Sequence, residues 1–138
     1  MTTYAFASLN DLLEQEASIQ EYGLLDFSQE LETAEKEIIR HIRVRWYPEY
    51  LNETRGNIRH LSPSPVMDPA LLDRTQWTQA VVYYCIAHQI CPKLTKFEAQ
   101  GDRFQVMMDY YAKRYDTEFE IIMREGVRYD ANHANVFQ

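Results

Sequence analysis

The sequence predicts an all-α fold, a small helical bundle, and three observations carry that prediction. Glycines number only four in 138 residues, too few for the tight turns of a sandwich or barrel. Two stretches, Leu31–Trp46 and Phe104–Ile122, repeat apolar residues at steps of three and four. A third, Trp77 to Cys91, holds no charged side chain and is apolar on every side, as a buried central helix is. At roughly 15 residues it falls short of the about 20 apolar residues that a bilayer span needs, so no membrane association is expected. The length fits one domain with a core of its own.

Along the chain, Ser8-Leu-Asn-Asp11 has the form of a capping box, opening a short acidic helix that runs to about Gln20 before Gly23. Ser28 is the expected cap of the second helix, with Glu30 and Glu32 in its positive first turn. Leu31, Ala34, Ile38, Ile42 and Trp46 form its apolar stripe, and Pro48 forbids its continuation. Residues 48–68 contain three of the five prolines and no sustained period, so they read as a long loop inserted between the second and third helices. Asp68-Pro69 is a good helix start, leading through Ala70–Asp73 into the central helix, which Pro92 is expected to close. Gly101-Asp102 punctuates before the last helix, whose stripe is Phe104, Met107, Met108, Tyr111, Tyr115, Phe119 and Ile122. Gly126 is placed as its C-cap glycine. The division expected is a helical domain over residues 1–126, with the loop 48–68 inserted, and an extended arm over 127–138.

The formal net charge is −7, and it is uneven. Residues 1–35 hold eight acidic side chains and no Lys or Arg, while the rest of the chain holds thirteen acidic and fourteen basic. No basic face dominates, which argues against a sequence-independent nucleic-acid binder. Ten tyrosines tilt the composition toward protein interfaces. Cys85 and Cys91 sit six residues apart on one helix and cannot bridge each other there, and the first residues turn acidic at once, so a reducing, cytoplasmic setting is expected.

Catalytic signatures are absent. The chain has no Gly-x-Ser-x-Gly, no Walker loop and no Gly-x-Gly-x-x-Gly, and the reading is of a protein that is not an enzyme and has no cofactor. Cys85-x-x-His88-x-x-Cys91 has residue types suited to zinc. Six helical steps of about 100° nevertheless carry Cys91 far round from Cys85, so buried thiols and a packed histidine are the expected reading. Glu37 and His41 are four apart, whereas a di-iron bundle uses Glu-x-x-His. The outward-pointing features are the loop and the tail. In the loop, Tyr50, Arg55, Arg59 and His60 are candidates for contacting a partner or a channel. In the tail, Val127, Tyr129, Asp130, Val136 and Phe137 are candidates for an arm that orders on a partner, set against the plainer reading of a tail packed on its own domain.

The order of elements resembles the small helical head-tail adaptor (head-completion or connector) proteins of tailed bacteriophages. The resemblance is carried by Tyr4-Ala-x-x-Ser8-Leu-Asn-Asp-Leu-Leu13, by the ending Arg45-Trp-Tyr-Pro48 of the second helix, and by the central stretch from Trp77 to Cys91. It continues through Phe97, Gly101-Asp-Arg-Phe104, Tyr111, Arg114-Tyr115, Glu118-Phe119 and Gly126-Val-Arg-Tyr129-Asp130. Where such proteins continue with an Asp/Gly-rich stretch, this chain reads Ala-Asn-His-Ala-Asn-Val-Phe. The resemblance implies a structural virion protein assembled in the host cytoplasm, a homo-oligomeric ring of twelve copies between portal protein and tail. It also implies a C-terminal arm docking into the portal, a downstream neck or tail protein as second partner, and packaged DNA passing through without specific binding. The rival expectation is a cytoplasmic helical interaction or regulatory module without catalytic activity. A third is a small metal- or ligand-binding bundle using His88 and the two cysteines.

Overall fold

The computed structural model describes residues 6–16, 27–55, 67–94 and 103–129, and they are mostly helical, with no strand beyond one isolated bridge. Helix α1 (Leu9–Gln15) starts on the expected capping box: the Ser8 hydroxyl accepts the Asp11 N–H, and the Asp11 carboxylate accepts the Ser8 N–H. Gln15 ends it, with Glu16 as C-cap, so within the described residues it is shorter than the expected run to Gln20.

Helix α2 (Ser28–Arg45) buries Ala34, Ile38 and Ile42, as its stripe predicts. Its cap differs from expectation. Phe27 holds the N-cap position without a side-chain hydrogen bond, and Ser28 is already helical. Phe27 is 1% exposed, so apolar burial, not a hydroxyl cap, sets the start.

Pro48 turns the chain without ending helical structure, which corrects the expected loop. Trp46 closes α2 by donating its N–H to the Ile42 carbonyl, and helix α3 (Tyr47–Arg55) begins at once. Pro48 lies in the first turn of α3, where the N–H it lacks has no helical partner to lose. Residues 48–55 of the expected loop are therefore helix, and residues 56–66 lie outside the described residues.

Asp68 caps a single 3₁₀ turn, Pro69–Leu71, as its sequence predicts. Asp73 then caps helix α4 (Arg74–Cys85), accepting the Thr75 N–H at 3.1 Å and the Thr75 hydroxyl at 2.7 Å. The central helix does not stop at Pro92. A π-helical turn, Ile86–Ile90, follows α4, with the Cys91 N–H donated to the Ile86 carbonyl, and α5 (Cys91–Leu94) continues from it. The wider turn rearranges the backbone just before Pro92, which has no N–H to donate into a helical hydrogen bond. Helix α6 (Arg103–Glu125) ends at Gly126, whose φ of +97° is the left-handed conformation that favours glycine, and whose N–H bonds the Ile122 carbonyl.

Helix α4 packs against α2, α6 and α1, and α2 reaches α6 through side chains, His41 to Tyr115 and Arg45 to Glu120. Trp77, fully buried, sits with its ring 5.4 Å from Phe119 within the α4–α6 contact. The apolar side chains from Trp77 to Cys91 are buried apart from half-buried Tyr84, while Thr78 and Gln89 are half-buried and Gln79 and His88 are exposed. Among the described residues no helix is long and apolar enough to cross a membrane.

Candidate functional site

One candidate from the loop, Tyr50, and one from the tail, Tyr129, meet at one corner of the molecule, where the α2–α3 junction faces the segment after α6. Because Pro48 bends the chain at Trp46, the rings of Trp46, Tyr47 and Tyr50 are brought onto one patch. Trp46 and Tyr50 lie 4.8 Å apart between centroids, and Tyr47 stacks on Tyr50 at 5.7 Å. Tyr129 enters edge-on against all three, at 5.5 Å from Trp46, 5.9 Å from Tyr47 and 5.2 Å from Tyr50. Such T-shaped contacts between ring edge and ring face are favourable beyond the area they bury. The four rings fill one another's space, so the cluster is a joint and not an open cage for a cation.

Polar contacts hold the same segment in register. Tyr129 pairs with Leu72 in an isolated antiparallel bridge, and the Asp73 N–H is donated to the Arg128 carbonyl at 3.1 Å. The Asp68 N–H is donated to the Tyr129 hydroxyl oxygen at 2.9 Å. Gln76, only 8% exposed, accepts the Arg128 N–H at 2.8 Å and donates to the Gly126 carbonyl at 2.9 Å. Arg128 reaches Asp73 at 2.8 Å. The Thr75 hydrogen bonds, with Arg128 adding to them against a small burial penalty, hold the Asp73 carboxyl below its usual range. Beside this joint runs a groove of about 600 Å³ lined by Ala70, Leu71, Leu72, Asp73 and residues 127–129.

Val127 and Tyr129, expected on a partner-seeking arm, are half-buried against their own domain, so the domain extends to at least Tyr129. Asp130, Val136 and Phe137 lie outside the described residues. Of the loop candidates, Tyr50 belongs to the aromatic joint, Arg55 is the last residue of α3, and Arg59 and His60 lie outside the described residues. Sequence reasoning missed Asp73 and Gln76. Asp73 precedes Arg-Thr-Gln as an N-cap aspartate does, a readable signal. Gln76 has none, because a glutamine near a helix start reads as solvated.

A second cluster lies where α2, α4 and α6 meet. His41 Nδ1 is 2.6 Å from the Tyr115 hydroxyl, and the Tyr84 ring stands between His41 at 5.6 Å and His88 at 4.4 Å. Burial pushes the Tyr84 and Tyr115 hydroxyls up and the His41 imidazole down, and partial desolvation of the largely exposed His88 ring lowers it as well, so at neutral pH the four groups are uncharged. Cys85 and Cys91 are fully buried while His88 is exposed, so these three side chains do not converge on a point. Among the described residues no group of three or more His, Cys, Asp or Glu is placed to share a metal ion.

Comparison of the chain with protein-family models, with characterised proteins and with solved structures returns no match.

Proposed function

We propose that this chain is a structural virion protein, a ring-forming adaptor that joins the portal to the tail in a phage neck and forms part of the DNA channel. What supports the reading is the rooting of its C-terminal segment. Tyr129 and Arg128 are clamped by the Trp46–Tyr47–Tyr50 joint, Gln76 and Asp73, so whatever follows Tyr129 starts from a fixed point and direction. A fixed root lowers the entropy that an extended segment loses on docking. In this reading Asp130, Val136 and Phe137 engage the portal protein, and Tyr129 and Val127 aim them. Arg59 and His60 are assigned to contact with a partner or the channel, and a downstream neck or tail protein is the second partner. The adaptor performs no chemistry, needs no cofactor, and lets DNA pass without specific contacts.

The test is co-sedimentation with purified portal rings, comparing the full chain with one ending at Tyr129, each checked for helix content by circular dichroism. The full chain is expected to bind and the shortened chain to lose binding. Equal binding by the two removes the arm. A gene position between capsid and tail genes would support the reading independently. The second reading, a helical interaction module of the cytoplasm, draws on exposed apolar residues of α6, namely Val106, Tyr110 and Ile121. A chain that binds a cellular protein through them and ignores the portal would favour it.

A further inference from the structure

Helix α6 carries apolar side chains on two opposite sides, and only one of them faces the core. Three of the four large hydrophobic side chains exposed among the described residues lie on its outward side: Val106 at 69%, Tyr110 at 51% and Ile121 at 44%. At about 100° per residue, Val106, Tyr110, Lys113, Thr117, Ile121 and Arg124 fall within about 80° of one another, opposite the side that buries Tyr115. They recur at steps of four, three, four, four and three residues, the seam spacing of packed helices. From Val106 to Arg124 this line is about 27 Å long at roughly 1.5 Å per residue, room for about five turns of a second helix.

Two features of the line point to a helix as its occupant. Near its C-terminal end lies a hollow of about 310 Å³ lined by Asp116, Thr117, Glu120, Ile121 and Arg124. The last four stand at i, i+3, i+4 and i+7, the diamond of neighbouring side chains that receives one knob from a facing helix. At the other end Tyr110 presents a propped ring. It meets the edge of Tyr111 at 5.0 Å, and the Arg114 guanidinium, 5.9 Å away, donates a hydrogen bond to the Tyr83 hydroxyl.

Charge determines what that helix carries. Lys113 and Arg124 sit on the line, and neither takes part in a salt bridge among the described residues. Arg103 and Arg114 border it on one flank. On the other flank Glu120, the nearest carboxylate, is already engaged by Arg45, and the remaining carboxylates of α6 lie further round. The line therefore suits acidic side chains. A second copy of α6 does not suit it. Laid parallel, that copy sets Lys113 and Arg124 against themselves. Laid antiparallel, it sets the flank of Arg103 and Arg114 against the same flank, and like charges oppose either pairing.

We infer that the outward side of α6 binds an acidic amphipathic helix of a different protein, which sets carboxylates against Lys113 and Arg124 and an aliphatic knob into the hollow beside Thr117 and Ile121. The inference goes beyond the adaptor reading and does not rest on it. It gives the α6 residues of the second reading a partner of stated chemistry.

Fluorescence anisotropy of a labelled synthetic helix of about 20 residues, titrated with the full chain, tests it. The probe carries leucine at seam spacing with glutamate beside it. One control has the same composition in shuffled order, and the other has lysine in place of glutamate. The acidic helix is expected to bind saturably, less so at high salt, and the two controls are not expected to bind. Lys113→Glu with Arg124→Glu is expected to weaken binding of the acidic helix roughly tenfold and to strengthen binding of the lysine one. Thr117→Phe, which fills the hollow without changing charge, is expected to weaken binding too. Circular dichroism checks that the variants fold. If the double reversal does not, Thr117→Phe and the two control peptides decide the outcome. No binding by the wild type, equal binding of the shuffled peptide, or binding indifferent to the variants overturns the proposal. Self-association of the chain in sedimentation velocity that the same substitutions abolish also overturns it, since the occupant is then a second copy. The portal co-sedimentation reports separately on the adaptor reading. Peptide binding through α6 by a chain that ignores the portal keeps this site and removes the adaptor, and portal binding by a chain that ignores the peptide does the reverse.

Discussion

The side-chain amide of Gln76 stands in for a neighbouring strand to Arg128, accepting its N–H at 2.8 Å while donating to the Gly126 carbonyl at 2.9 Å. One buried side chain thereby satisfies two backbone groups of the segment that leaves α6. Gln76→Ala removes both bonds, and the expected loss is about 1–3 kcal/mol of folding stability. Urea unfolding monitored by circular dichroism measures it. An unchanged midpoint would mean that the aromatic joint alone holds the segment.

Tyr129 contributes in two separable ways. Tyr129→Phe keeps the ring and removes the acceptor of the Asp68 N–H, and is expected to cost about 1 kcal/mol. Tyr129→Ala also removes the edge contacts to Trp46, Tyr47 and Tyr50, and a loss of about 2–4 kcal/mol is expected. If the adaptor reading holds, the alanine variant also binds portal rings more weakly under conditions where it remains folded. The phenylalanine variant, with the root intact, binds nearly as the wild type does.

Cys85 and Cys91 are both fully buried, and desolvation pushes the Cys85 thiol well above its ordinary value. A thiolate is the reactive form, so neither residue is expected to react with a thiol reagent in the native protein on the time scale of minutes. Both are expected to react in denaturant. Prompt labelling of the native chain would show that the π-helical turn opens readily.

Acid is expected to weaken the fold through His41 and His88. Desolvation, only partial at the exposed His88, lowers both imidazoles from 6.5, with Glu37 opposing the shift at His41 and Asp116 opposing it at His88. Between the lowered folded values and 6.5, the unfolded chain binds more protons than the folded one. The contribution is therefore complete above about pH 6.5 and is lost as pH falls through that value toward the folded-state values. Thermal melting across this range should show the decline, and His41→Gln should flatten part of it. A wild-type profile that rises on acidification would contradict the shifts.

The sequence by itself determined the helical class, the central buried helix and the lines along α2 and α6 that face the core. Each of these is periodic, and periodicity in apolar residues sets which face of a helix leaves water. It also determined the caps at Ser8, Asp68 and Gly126, where the chemistry is local to three or four residues. Tertiary structure decided the rest. Pro48 forbids an unbroken helix, but whether the chain then loops or restarts depends on what the next turn can pack against, and Tyr47, at 8% exposure, and Leu51, at 3%, find the core. Pro92 is carried inside helical structure because the surrounding burial of Ile90 and Cys91 outweighs the cost of a π-helical turn. The root of the C-terminal segment was least legible of all. Tyr129 meets residues about 80 positions earlier, and Gln76 bonds a backbone some 50 residues away. Contacts of that separation leave no local period or cap, so only the folded chain reveals that the segment after Gly126 starts as part of the domain.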